Sequence, residues 1–170
     1  MEPLTPLRED PIRVLFVCTG NLCRSPMAHG ILQAYAYTAG LDQGLIVDSA
    51  GVNARPGLPP EPHAIEAALA YGADISQLRS RAVTPGDFVS FDRLIAMDYG
   101  HLDALHFSCP AVLRPKLTLL FPKRDNARAI EVPDPYQQGL RQFERSARLI
   151  ADGVRAVLEE ILAWREGRVA

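Results

Sequence analysis

The sequence predicts an α/β fold: a single doubly wound domain with a central parallel sheet and flanking helices. Four short apolar runs, Ile12–Val17, Leu45–Val47, Leu94–Met97 and Leu117–Phe121, are continuous rather than alternating, as in strands buried on both faces. Stretches of helical periodicity lie between and after them. The chain of 170 residues, 48 % apolar and 22 % charged, suffices for one core and leaves no room for a second domain.

Taken in order, residues 1–11 contain Pro3, Pro6 and Pro11 and are expected as a flexible arm before a domain spanning 12–164. The first strand runs into Cys18, and a helix is expected over Pro26–Ala39. Ser25 suits its N-cap, Pro26 its first turn, and Met27, Ile31 and Leu32 form an apolar face. Further helices are expected over Glu61–Tyr71 and Gly100–Phe107. Phe143, Ala147, Ile150, Val154, Val157 and Ile161 trace one face of a long terminal helix, expected to pack on the core. Residues 165–170 are expected as a loose tail. Doubly wound sheets bind ligands beyond the carboxyl ends of their strands, where Cys18 and Asp98 fall.

The segment Cys18-Thr19-Gly20-Asn21-Leu22-Cys23-Arg24-Ser25 joins that first strand to its helix. A helix N-terminus carries roughly half a positive charge, and consecutive loop amides can form a concave nest, so the natural guest is a phosphate-like oxyanion. Gly20 and Asn21 tolerate the left-handed backbone angles that such a curve needs. The planar fork of Arg24 can grip two phosphoryl oxygens, with Cys18 on the loop floor beneath the same group. A cysteine followed by five residues and an arginine, between a strand and a helix, reads as a phosphatase site.

Cysteine acts as thiolate, and an unperturbed pKa of about 8.5 leaves only ~3 % ionised at neutral pH. Full ionisation adds at most ~30-fold in thiolate population, and less in rate because nucleophilicity falls with pKa. Charge stabilisation of the transferring phosphoryl group must therefore dominate. The departing oxygen also needs a proton. Asp134, in the stiff Asp134-Pro135 turn before the last helix, is the candidate general acid. Asp98 is expected to support it with a neighbouring negative charge that raises its pKa, giving a mildly acidic optimum.

The run VLFVCTGNLCRSPMA resembles the signature of the low-molecular-weight protein tyrosine phosphatases. The likeness continues through Val47-Asp48-Ser49-Ala50-Gly51, Asp74-Ile75-Ser76, Asp92–Asp98 and Val132-Pro133-Asp134-Pro135-Tyr136, covering roughly residues 12 to 162. It implies four central parallel strands and in-line attack by Cys18, giving a cysteinyl-phosphate that water then hydrolyses. Arg24 would clamp the phosphoryl oxygens, Ser25 would bond the thiolate and Asn21 would keep the loop in shape. The expected partners are phosphotyrosine-containing proteins as substrates and inorganic phosphate as product. No cofactor or metal is expected. The resemblance also implies that Cys23 can form a protective disulfide with Cys18.

Leu22 and Tyr136 are expected as apolar walls of the substrate cleft. Three departures from the family pattern stand out. Arg55 replaces a frequent aromatic and is read as favouring acidic peptides; Leu78 replaces a frequent histidine and removes a polar support of the loop; Gln137 replaces a second aromatic after the Asp-Pro pair. Arsenate reductase, protein arginine phosphatase and a noncatalytic phosphopeptide-binding module are the alternatives. A cysteine relay, a threonine in place of Leu22, and loss of Cys18 or Asp134 would be their respective marks.

The net charge of −2 offers no basic field for nucleic acid, and no stretch reads as a signal peptide or membrane helix. A cytoplasmic monomer is expected. Three cysteines without metal-ligand spacing suggest neither a disulfide framework nor zinc. His29, His63, His101 and His106 are scattered; none is assigned a role, and His101 and His106 are read as solvated.

Overall fold

The computed structural model describes residues 10–122 and 130–168. Residues 1–9 of the expected arm and residues 169–170 of the expected tail lie outside the described residues.

Four strands, β1 (Ile12–Cys18), β2 (Leu45–Gly51), β3 (Arg93–Ala96) and β4 (Leu117–Leu119), form one sheet in the order β2-β1-β3-β4. Every pairing is parallel, with Val14 opposite Val47 on one side and Arg93 on the other. Among the described residues five α-helices, α1 (Arg24–Thr38), α2 (Pro62–Leu69), α3 (Pro85–Ser90), α4 (Tyr99–Ser108) and α5 (Leu140–Arg165), and a 3-10 helix at Ala111–Lys116 accompany the sheet.

Side chains of a strand alternate between the faces of its sheet, and β1 shows what this builds. Ile12, Val14, Phe16 and Cys18 enter one core with α1, α2 and α5, whereas Leu15 and Val17 enter a second with Phe88 of α3 and Leu105 of α4. The anticipated face of α5 lies on the first core: Phe143, Ala147, Ile150, Val154 and Ile161 are buried and Val157 partly so. Burying each large apolar side chain stabilises the fold by about 1.5–3 kcal/mol, so this helix is a principal anchor of the domain.

Three local expectations change. The first helix starts at Arg24, so Ser25 lies inside its first turn and caps nothing; Cys23 holds the N-cap position without a side-chain bond. Pro26 still falls among the first helical residues, where its missing N–H costs nothing. The short α3 escapes a periodicity search because it has six residues, although its capping box, Thr84 with Asp87, is visible in sequence. Lastly, the tail begins anchored: Arg165 closes α5 and donates to the Gly44 carbonyl at 3.1 Å, while Trp164 stacks against the Arg93 guanidinium.

Candidate active site

At the carboxyl end of central β1 the chain curls from Cys18 to Arg24 before entering α1, beside the point where strand order switches from β1 to β3. Asn21 makes the curl, with φ of 57°, a left-handed angle asparagine tolerates. Gly20 has no positive φ, so that expectation holds for Asn21 alone.

The loop is pinned from the neighbouring strand. The amides of Val52 and Asn53 donate to the carbonyls of Cys18 and Thr19, both at 2.9 Å. Gly51, at the end of β2, permits this approach: a Cβ there would lie 2.4 Å from the Thr19 carbonyl and 2.9 Å from the Asn21 nitrogen. The Asn21 side chain closes the loop on itself. Its Nδ2 donates to Ser25 Oγ at 2.8 Å, and its Oδ1 accepts the Arg81 N–H at 3.0 Å. Arg81 is fixed in turn by ion pairs to Asp48 and Asp87. Leu78 packs partly buried on the core and offers the loop no polar atom; the Arg81 backbone supplies that support.

Cys18 Sγ lies 3.0 Å from Ser25 Oγ. Because Asn21 already donates to that oxygen, the single hydroxyl proton is free for Sγ or for the Ala50 carbonyl at 3.3 Å. A thiolate at the shorter distance is the stronger acceptor. Cys23 is also buried, and its thiol is pushed far up by burial and by the nearby Cys18, Glu61 and Asp134. It is therefore held protonated beside Cys18.

Arg24 is 3 % exposed and bonded on several sides. Its Nη1 donates to Asp98 Oδ2 at 2.9 Å and to the Val132 carbonyl at 3.0 Å, and Nη2 lies 3.4 Å from Asp134 Oδ2. Asp98 caps α4 by accepting the His101 amide at 2.9 Å. Burial opposes its ionisation, but that bond and the Arg24 guanidinium, which donates to it and attracts its charge, hold its carboxyl below the ordinary range. Asp98 is thus committed to Arg24 and to the helix end.

Asp134 reaches the loop through the segment that precedes α5. Val132 bonds to the Met97 carbonyl and to Arg24, Glu131 accepts the Tyr99 amide, and Ser146 of α5 holds the Pro133 carbonyl. Asp134 Oδ1 accepts the Tyr136 N–H in a local turn. Cys18, Thr19, Gly20, Leu22, Cys23, Arg24, Arg55, Asp134 and Tyr136 line one cleft of about 420 Å³, joined by Asn53 and Leu58. A larger hollow elsewhere, beside Tyr35, Tyr37 and Tyr71, contains none of these groups.

His101 is the neighbour that sequence reasoning missed. It is 4 % exposed, not solvated, and its Nε2 lies 2.8 Å from Thr19 Oγ1 and 3.5 Å from Arg24 Nη2. A spacing three residues after the helix-capping Asp98 was its one legible signal. His29 is buried as well, bonded to Ser49, with burial pulling its pKa down to about 4. His63 and His106 are exposed. Cys109 lies in the second core, on the face of the sheet opposite Cys18 and Cys23. Among the described residues no cluster of three His, Cys, Asp or Glu side chains could hold a metal, and no helix is long and apolar enough to cross a membrane.

Comparison with known proteins agrees with this arrangement. The family model for low molecular weight phosphotyrosine protein phosphatase matches residues 13–166. A low molecular weight protein-tyrosine-phosphatase of Streptomyces coelicolor is 35 % identical over 164 residues, covering 93 % of this chain and 98 % of that one. The crystal structure of a low molecular weight phosphotyrosine phosphatase of Vibrio cholerae has a TM-score of 0.81 at 37 % identity, over 93 % of this chain and 99 % of that one. The solved structure of a mutant YwlE arginine phosphatase with a phosphorylated active-site serine has a TM-score of 0.78 at 26 % identity, over 88 % of this chain and 95 % of that one. With the family model spanning nearly the whole domain, the chain belongs to the low molecular weight phosphotyrosine protein phosphatases, a family of hydrolases.

Proposed function

We propose that this enzyme removes phosphate from phosphotyrosine in proteins, and from aryl phosphates, with Cys18 as nucleophile, Arg24 as phosphoryl clamp and Asp134 as general acid and base. One observation carries the assignment: Asp134, more than a hundred residues from the Cys18–Arg24 loop in sequence, lines the same cleft as Cys18 and Arg24, with Cys18 Sγ against the Ser25 hydroxyl.

In the first step Sγ attacks phosphorus, the P–O bond to the phenol breaks, and the Asp134 carboxyl proton passes to the departing oxygen. In the second, Asp134 takes a proton from water as the water oxygen bonds to phosphorus and the P–S bond breaks, releasing phosphate and the thiolate. The amides of residues 19–24 and the Arg24 guanidinium face the charge that spreads over the phosphoryl oxygens, the main source of rate. Thr19, Gly20, Asn21, Leu22, Cys23 and Ser25 shape the loop. Asp98 supports by holding Arg24 at 2.9 Å.

Leu22 and Tyr136 give the cleft apolar and aromatic walls, which favour a phenyl ring over a guanidinium. Arg55 lies at the same cleft, exposed, where a negative residue flanking the phosphotyrosine would meet it. The domain is read as residues 12–164 of a cytoplasmic monomer, and three buried cysteines free of disulfides suit a reducing compartment. Under peroxide, Cys18 would become a sulfenic acid and condense with the Cys23 thiol, releasing water and forming a reversible disulfide.

The test is a substrate panel for the freshly reduced enzyme and for Cys18→Ser: p-nitrophenyl phosphate, a phosphotyrosine peptide, a phosphoarginine peptide, and arsenate with thiol. Hydrolysis of the two aryl phosphates alone, abolished in Cys18→Ser, is expected. Faster turnover of phosphoarginine, or arsenate reduction, would overturn the substrate assignment.

A further inference from the structure

The buried face of the phosphate loop contains an imidazole that the chemistry above leaves unused. His101 stands in the first turns of α4, 4 % exposed, between the loop and the strand end that carries Asp98. Its two nitrogens face different kinds of partner. Nε2 faces Thr19 Oγ1 at 2.8 Å and Arg24 Nη2 at 3.5 Å; Nδ1 faces Asp98 Oδ1 at 3.1 Å and has no aligned hydrogen bond.

These partners select a tautomer. A guanidinium nitrogen can only donate and a carboxylate can only accept. A proton on Nε2 would oppose the Arg24 N–H and leave the Nδ1 lone pair against a carboxylate. A proton on Nδ1 reverses both, so Nε2 accepts from the Thr19 hydroxyl and presents a lone pair to Arg24 while N–H faces Asp98. Asp98 also holds Arg24 Nη1 at 2.9 Å, so imidazole and carboxylate together brace both terminal guanidinium nitrogens.

We propose that His101, as the neutral ring protonated on Nδ1, is a positioning residue of the phosphoryl clamp that holds Thr19 and Arg24 in register. The proposal rests on the reading of Arg24 as that clamp. The ring is not part of the cleft lining, and its hydrogen-bond distances to that lining are to Thr19 and Arg24, so it acts through them. The charges around it are Arg24 from α1, Asp98 at the cap of α4, and Glu131 and Asp134 from the segment before α5. Burial and Arg24 outweigh the three carboxylates and hold its pKa below the ordinary histidine value, which keeps the ring neutral at pH 7.

Two measurements decide it. Nitrogen-15 NMR of the wild-type imidazoles should show His101 neutral at pH 7 with its proton on Nδ1; a proton on Nε2, or a charged ring, would overturn the proposal. Steady-state kinetics with p-nitrophenyl phosphate should show KM raised on the order of tenfold in His101→Leu with kcat changed less, as expected when a bond to a charged group is lost from bound substrate and transition state alike. His101→Gln, whose Oε1 can replace Nε2 as acceptor, should recover most of the loss. Wild-type KM in His101→Leu, or a His101→Gln no better than His101→Leu, would overturn it. If His101→Leu does not fold, the tautomer and a near-wild-type KM in His101→Gln decide. Arg24→Lys separates the two readings: an unaltered kcat/KM there would overturn the clamp itself, whereas a crippled Arg24→Lys beside an unaffected His101→Leu would overturn only the role of His101.

Discussion

The floor and the rim of the cleft are built on opposite terms. On the floor, Cys18, Asn21, Arg24 and Ser25 are each at most 3 % exposed, and nearly every polar atom answers another. At the rim, Asp134 and Tyr136 are about half exposed, and Arg55 is exposed, its carbonyl accepting from Ser80. A buried polar network is costly to break, because each deletion strands a partner away from water. An exposed group loses one interaction and is resolvated. On the proposed mechanism the floor holds the phosphoryl group, and the rim delivers the proton and selects the substrate, tasks that need access and tolerate change.

Asp134→Ala tests this contrast most severely. As a rim residue it should leave folding and phosphate affinity nearly intact while lowering kcat by roughly 10²–10⁴-fold. The loss should be smaller for p-nitrophenyl phosphate than for phenyl phosphate, whose leaving group needs the proton more. Equal losses on both, in parallel kinetic runs, would move Asp134 out of the acid role.

Gly51→Ala approaches the floor from behind. Since the new Cβ would lie 2.4 Å from the Thr19 carbonyl, the loop or β2 must shift. About 1–3 kcal/mol of stability should be lost, as in other overpacked sites, with kcat/KM down at least about tenfold. Urea unfolding and kinetics on the same preparation separate the two effects.

A third prediction concerns His29, under the floor. Its pKa is about 4 in the folded protein, against about 6.5 unfolded. Between these values the unfolded chain binds the extra proton, so stability is full above pH 6.5 and falls as pH drops toward 4. The loss should approach about 3 kcal/mol, and His29→Gln should flatten that part of the pH profile in urea titrations.

The smallest effect belongs to the outer rim. Arg55→Ala should lower kcat/KM for acidic phosphotyrosine peptides by about two- to fivefold, the range of an exposed ion pair, and leave p-nitrophenyl phosphate unchanged. Unchanged selectivity between acidic and neutral peptides would remove Arg55 from substrate choice.

What the sequence by itself determined was the local order. Continuous apolar runs located all four strands, and the six-residue apolar face located α5, because burial on one or both faces leaves a period in the chain. The short reach from Cys18 to Arg24 made the oxyanion loop legible, since its residues are neighbours along the backbone.

The tertiary structure alone decided whatever depends on approach between distant segments. Ser25 reads by its spacing as a helix cap, and only the resemblance put its hydroxyl on the thiolate; the fold sets it inside the first turn, between Asn21 and Cys18. Gly51 has no assigned role in the sequence until the Thr19 carbonyl is found against it. His101, 82 residues from Thr19, reads as a solvated helical histidine until packing of α4 against the loop buries it. Periodicity records which side of an element faces the core, but it does not record which polar atom of another element will meet it there. That pairing is set by strand order and helix packing, and it decides how Arg24 is held.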